Sequence, residues 1–277
     1  MDSVTPSVIA FASSLDDACQ AAIKTLALPN LSRFLKQAEL TRLDSGDEFD
    51  FIPPHERMFE VSEQIIVTPC HWSVGIDNIR MDDPSELQLN DAESRALFAA
   101  VAPYFEGDGI TLTYDTPLRW LAQGEALFHM ASQGVSFASI DRVIGRNVDV
   151  WQPQSAASKS IRRLQNEIQM LLYTHPLNEE REARGLPTVN SFWLSRLANS
   201  DARFNFSLRA SALRGDWHAW AEAWQVLDQK LAQATHITLC GERHAATYVI
   251  NSNPTIRQRI KRMIGSQPSI HMALQNL

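Results

Sequence analysis

Several polar residues in the middle of this chain are of the types that hold an anion. Arg119 stands in TPLRW and Asp141 in SIDRVIG. His175, Asn178, Arg181 and Asn190 share the short stretch THPLNEEREARGLPTVNSFWLS, which also carries Trp193. Guanidinium forks match phosphate or carboxylate oxygens in pairs. An asparagine can bond a ligand hydroxyl or tie down a loop through its backbone. Two readings stand open for this group: one wall of a site for something anionic, or a structural arginine–carboxylate network.

Other chemistries find less footing. The eight histidines are scattered, with no HxH or HxxxH pair to seed a metal centre. No GxSxG elbow and no GxxxxGK[ST] loop occurs. Cys70 precedes His71, but neighbours on a strand point to opposite faces, so a thiolate–imidazole pair is not expected there. Trp217, Trp220 and Trp224 recur at helical spacing and read as core.

The elements that must position these groups alternate in type. VIAFA reads as a buried strand, followed by a helix through DDACQAAIKTLAL and a second short helix in NLSRFLKQAEL. The acidic stretch from Thr41 to Glu56 reads as a surface connection. EQIIVTPCHW and GITLTY read as strands, with a helix between them capped by Asp91. GITLTY runs into DTPLRWLAQG, and after it the pattern is loop-rich to Pro153. Ser158 to Tyr173 is an amphipathic helix with Ile161, Leu164, Ile168 and Leu171 on one face. HITLC and ATYVI read as two strands around GERHA. Strands separated by helices predict an α/β or mixed fold.

The bulk properties narrow the function classes. The chain has 277 residues, 44% of them hydrophobic, and a formal net charge of -7, which argues against adhesion to nucleic acid. Three separated cysteines without CxxC spacing argue against a disulfide framework and favour a reducing cytoplasm. No run approaches the roughly 18 apolar residues of a membrane span. PTIRQRIKRMIG, near the end, has Ile256, Ile260, Met263 and Ile264 on one side and Arg257, Lys261 and Arg262 largely on the other. Such a helix suits docking on the body, or lying on a membrane, a partner or nucleic acid.

Taken in order, ITLTYDTPLRWL, FASIDRVIGRNV and THPLNEEREARGLPTVNSFWLS resemble the substrate domain of archaeal-type, cofactor-independent phosphoglycerate mutases of the alkaline phosphatase superfamily. Nearly end to end, with TPCHW, DRVIGRNVDVW, MLLYTHPLNEEREARGLP and TLCGER as marks, the chain is similar to the proteobacterial RpfE-type regulatory protein family. Departures from the mutase pattern fall on its catalytic parts. VIAFA runs into Ser13, Ser14 and Leu15 where the mutases carry an Asp-Gly metal ligand, and CGER stands where they carry an Asp-His pair.

The resemblance implies a reduced alkaline-phosphatase-like core, residues 1–62 with 200–277, and a phosphoglycerate-mutase-type substrate domain, 63–199. It implies a non-catalytic, regulatory or binding protein for a small phosphorylated or anionic ligand or a protein partner. No cofactor is then expected, and Arg119, Asp141, His175, Asn178, Arg181, Asn190 and Trp193 form its binding set. The alternatives are a metal-dependent phosphomutase or phosphohydrolase using Mn, Zn or Mg, and an adaptor acting through the basic helix.

Overall fold

The computed structural model describes residues 7–46, 50–58, 61–76, 78–198, 203–251, 269–275 and 277. The fold is mixed α/β, and the chain divides into two compact units, Met1–Phe59 with Ser200–Leu277, and Glu60–Asn199.

The first unit opens with β1 (Val8–Ile9) and α1 (Asp17–Thr25). Asp16 caps that helix, accepting from the Ala18 and Cys19 amides at 2.8 and 3.2 Å. Helix α2 (Pro29–Leu35) starts on a proline, which has no amide to satisfy there. Its next amides, Asn30 and Leu31, are met from across the unit by the buried Asp228 carboxylate at 3.0 and 2.7 Å. Strand β2 (Glu39–Asp44) then occupies part of what the sequence suggests is a surface connection. It is an edge strand with Leu40 and Leu43 exposed, so it lacks the alternating burial that reveals a strand.

The second unit carries β3 (Val61–Cys70), the small hairpin β4 (Trp72–Val74) and β5 (Ile79–Met81), and α3 (Asp91–Gly107). The cap of α3 is Asn90, not Asp91. Asn90 Oδ1 accepts from the Glu93 amide at 2.9 Å while the Glu93 carboxylate accepts from the Asn90 amide, a reciprocal capping box. Next come β6 (Thr111–Thr116), β7 (Arg119–Gln123), α4 (Glu125–Ser132), α5 (Ile140–Val143) and α6 (Val148–Trp151). The stretch expected to be loop-rich therefore holds three short helices, α4, α5 and α6. The unit closes with α7 (Lys159–Tyr173), α8 (Pro176–Ala183) and β8 (Ser191–Ala198).

Its sheet runs β6-β7-β3-β8, antiparallel throughout. Register places Val67 opposite Trp120 and Leu194, and Ile65 opposite Ala122 and Arg196. Val67, Trp120, Ala122 and Leu194 pack into one core with Leu97, Val101 and Phe105 of α3 and Ile161, Leu164 and Ile168 of α7. Burial of one such side chain stabilises by about 1.5–3 kcal/mol. That gain from packing holds the amphipathic helices on the sheet.

Returning to the first unit, the chain adds β9 (Phe204–Asn205), α9 (Arg209–Leu213), α10 (Trp217–Lys230), β10 (His236–Cys240), β11 (Ala245–Val249) and α11 (Ile270–Leu274). The sheet order is β2-β11-β10-β1-β9, with β1 parallel to both β10 and β9 and the β10–β11 and β11–β2 pairs antiparallel. Trp220 and Trp224 are fully buried in this unit's core, and their indole N–H groups donate to the Phe11 and Ala12 carbonyls at 2.9 and 3.3 Å. They are core, as their spacing predicts. The basic segment PTIRQRIKRMIG lies outside the described residues. No helix among the described residues is long and apolar enough to cross a membrane.

Candidate functional site

The crowded stretch after α7 is tied to its own backbone. Asn178 is buried on α8. Its Nδ2 donates to the Leu172 and Val189 carbonyls, both at 2.8 Å, and its Oδ1 accepts from the Val189 amide at 2.9 Å. Asn190 does the same for the entry to β4, accepting from the Trp72 amide at 2.7 Å and donating to the Trp72 carbonyl at 3.0 Å. An amide side chain used this way mimics a strand neighbour and satisfies loop polar groups that would otherwise be stranded.

Arg181 has no exposed surface at all. Its guanidinium donates to Glu93 Oε2 at 2.7 Å, to the Pro187 carbonyl at 2.9 Å and to the Leu87 carbonyl. Arg184 closes on the other Glu93 oxygen. Burial by itself would raise the Glu93 pKa. The Arg184 hydrogen bond, the Asn90 amide and the two guanidinium charges outweigh it, and the carboxyl lies below its ordinary value. For Arg181 burial dominates, and it pulls the guanidinium down from its ordinary value despite Glu93. The result is a buried, fully bonded ion network of the kind that holds a fold together and breaks expensively.

The other predicted residues lie elsewhere within this unit. Arg119 is exposed and pairs with Asp115 across the β6–β7 turn. His175 caps α8, Nδ1 accepting from the Leu177 amide at 3.2 Å. Trp193 is buried and donates from Nε1 to the Ala138 carbonyl at 2.9 Å. Asp141 sits in the first turn of α5, its amide donating to the Ser139 hydroxyl at 3.2 Å. Of the two readings of this set, the structural network describes the bonds of Asn178, Arg181, Asn190 and Trp193. Donors spent on backbone carbonyls and on Glu93 do not face an anion.

A concave site exists in the same unit, built from residues outside that set. A cavity of about 530 Å³ opens where β3, β7 and β8 end beneath α4 and the loop that follows it. Ile65, Leu127, Ala131, Val135 and Phe137 supply apolar wall, and Leu127 and Phe137 belong to the unit's core. Phe128, 72% exposed, also lines it. Gln64, Gln123, Ser136 and Arg196 are its polar side chains, and Arg196 is the one charged residue among the described lining residues. Volume, apolar walls and a few polar groups are the usual make-up of a small-molecule site.

Its turn is set by Gly124, between β7 and α4. A Cβ there would lie 2.2 Å from the Gly109 carbonyl oxygen, so only glycine lets the two loops close. Arg196 carries a signal that was legible. It follows Phe192 and Leu194 at period two along β8, those two buried in the core and Arg196 exposed near the strand's end. Gln64 and Gln123 carry no comparable mark, because the antiparallel pairing of β3 and β7 brings them together, and Phe128 reaches the cavity from α4.

All three cysteines are buried, and burial pushes Cys19 up to about 11, Cys240 up to about 12 and Cys70 higher still. His71 is held by its own Nδ1, 2.8 Å from the Thr188 carbonyl oxygen.

No family model matches the chain, and no curated protein matches it. Among solved structures it is similar to the cofactor-independent phosphoglycerate mutase from Thermoplasma acidophilum DSM 1728. Identity there is 10%, with 90% of this chain and 91% of that one covered and a TM-score of 0.35. It is similar also to the PH0037 protein from Pyrococcus horikoshii, at 8% identity, 89% and 88% coverage and a TM-score of 0.42. Superposition at that level leaves the functional reading to this chain's own residues.

Proposed function

We propose that this chain is a non-catalytic binding protein of regulatory type, whose second unit takes a small anion with an apolar body. The observation that carries the proposal is the Arg196 cavity: among the described lining residues it has apolar walls, two amides, a hydroxyl and a single guanidinium, in a chain whose net charge is -7. In such a chain a pocket whose one charged group among the described lining residues is positive selects for an anion, and its walls favour a ligand with carbon to bury. A phosphorylated or carboxylated metabolite meets both demands. The motif resemblance to a regulatory family and to a mutase substrate domain supports this reading. A reduced phosphatase-like core for the first unit belongs to the same proposal and rests on the resemblance.

Thermal unfolding tests it, with 2- and 3-phosphoglycerate, inorganic phosphate, sugar phosphates and short-chain carboxylates, each with and without Mn²⁺. A ligand at about 100 times its dissociation constant stabilises by roughly 2.7 kcal/mol. Arg196→Gln should keep the fold and abolish the shift. An undiminished shift in Arg196→Gln would move binding away from this cavity. A shift that required Mn²⁺ would turn the conclusion toward a metal-dependent phosphotransfer enzyme.

A further inference from the structure

Arg196 differs from the other arginines described in the second unit. Each of those has a partner. Arg80 donates to the Gly145 carbonyl at 2.9 Å, Arg95 pairs with Asp91 at 2.7 Å, and Arg181 and Arg184 share Glu93. The rest are likewise engaged. Among the described residues, the Arg196 side chain makes no hydrogen bond or ion pair, although it lines the cavity. An exposed guanidinium in that position keeps its donors for a ligand.

The cavity has two chemically distinct sides. The guanidinium and both amides come from the sheet, on β8, β3 and β7, where Ile65 stands opposite both Ala122 and Arg196. Leu127 and Ala131 line it from α4, one turn apart, and Val135 and Phe137 from the loop beyond. Leu127 and Phe137 are each 6% exposed, so this wall is continuous with the unit's core. Charge sets the kind of head group. A phosphate monoester carries about -1.5 to -2 charges at pH 7. Against the one guanidinium among the described lining residues, in a chain of net charge -7, part of that charge stays unbalanced. A carboxylate is balanced one to one, and its two oxygens match the guanidinium fork.

Resting on the anion reading of this cavity, we propose that its ligand is an aliphatic monocarboxylate whose head pairs with Arg196 and whose alkyl chain covers the wall of Leu127, Ala131 and Phe137. The chain then supplies affinity by burying carbon, and the guanidinium selects the head. Ala131 sets the chain length that fits. It contributes only a methyl to the wall, and a larger side chain there fills the space the alkyl chain takes while leaving Arg196 untouched.

Titration of the full chain with acetate, butanoate, hexanoate, octanoate and hexyl phosphate tests this, followed at the Gly124 and Arg196 amides by NMR at fixed pH and ionic strength. Affinity for the carboxylates should rise about fourfold per added CH2 group until the wall is covered. Hexanoate should bind more tightly than hexyl phosphate. Arg196→Gln should weaken every carboxylate by at least about tenfold. Ala131→Leu exchanges one good helix former for another, so the fold is kept. It should leave acetate unchanged and weaken octanoate by at least about tenfold. The monocarboxylate is overturned if the series is flat, if hexyl phosphate binds as tightly as hexanoate, or if Ala131→Leu binds octanoate as the parent does. In those cases the anion reading stands, provided Arg196→Gln still abolishes the binding seen. Saturation by none of these anions, or binding that survives Arg196→Gln, sinks the anion reading itself and this ligand with it.

Discussion

Replacing Arg181 by Met separates a structural brace from an anion site. The substitution keeps a long flexible side chain in a fully buried position, so packing changes little. What it removes is three bonds: to Glu93 at 2.7 Å, to the Pro187 carbonyl at 2.9 Å and to the Leu87 carbonyl. A buried acceptor left without a donor costs roughly 1–3 kcal/mol. Removing one partner from a buried ion pair costs about 3–5 kcal/mol. Arg184 still neutralises Glu93 from the half-exposed side, which favours the lower part of the range. A loss of about 3–4 kcal/mol is expected, a large fraction of the 5–15 kcal/mol that typically separates folded from unfolded. Urea unfolding followed by tryptophan fluorescence measures it, with Trp120 and Trp193 buried in this unit. Adding Glu93→Gln to Arg181→Met should cost less than the sum of the two single losses, because both act on one network. A loss under about 1 kcal/mol would refute the reasoning, since an arginine waiting for an absent anion supports little of the fold.

Further predictions follow from the same contacts. The Glu93 carboxyl lies below its ordinary value of 4.5 when folded, so its contribution is whole above that pH and fades as pH falls through the folded value. Glu93→Gln should therefore be less stable than the parent at pH 7, and acid titration of unfolding should show the gap closing below about pH 4.5. Cys19, Cys70 and Cys240 should react with a thiol reagent at pH 8 only as fast as the protein opens, and at full rate in denaturant. A rapid native-state reaction would contradict their burial. Gly124→Ala should cost more than about 2 kcal/mol, because backbone at 2.2 Å cannot step aside as a side chain can. Denaturant melts read that loss directly.

Local signals told most where one face of an element is buried. The α7 helix was legible because Ile161, Leu164 and Ile168 repeat with helical period, and all three are buried in the second unit's core. Trp220 and Trp224 were legible for the same reason. Strand β2 was not, since an edge strand exposed on both faces carries no alternation. Strand β7 and helix α4 were hidden too, because their boundaries depend on the hairpin register with β6 and on the close approach of Gly124 to Gly109.

The sequence by itself determined the mixed α/β class, the helical faces that make the two cores, and the presence of an arginine- and asparagine-rich stretch after α7. Residue type could not say which way those side chains turn. A guanidinium that binds a metabolite and one that binds Glu93 and two carbonyls are the same letter in the sequence. Only the tertiary structure decided that Arg181 is spent inside, by bringing Glu93 and Leu87 to it across roughly ninety positions of chain. It likewise decided that Arg196, unremarked among its neighbours, lines a cavity, because that surface exists only once β3, β7 and β8 are in register beneath α4.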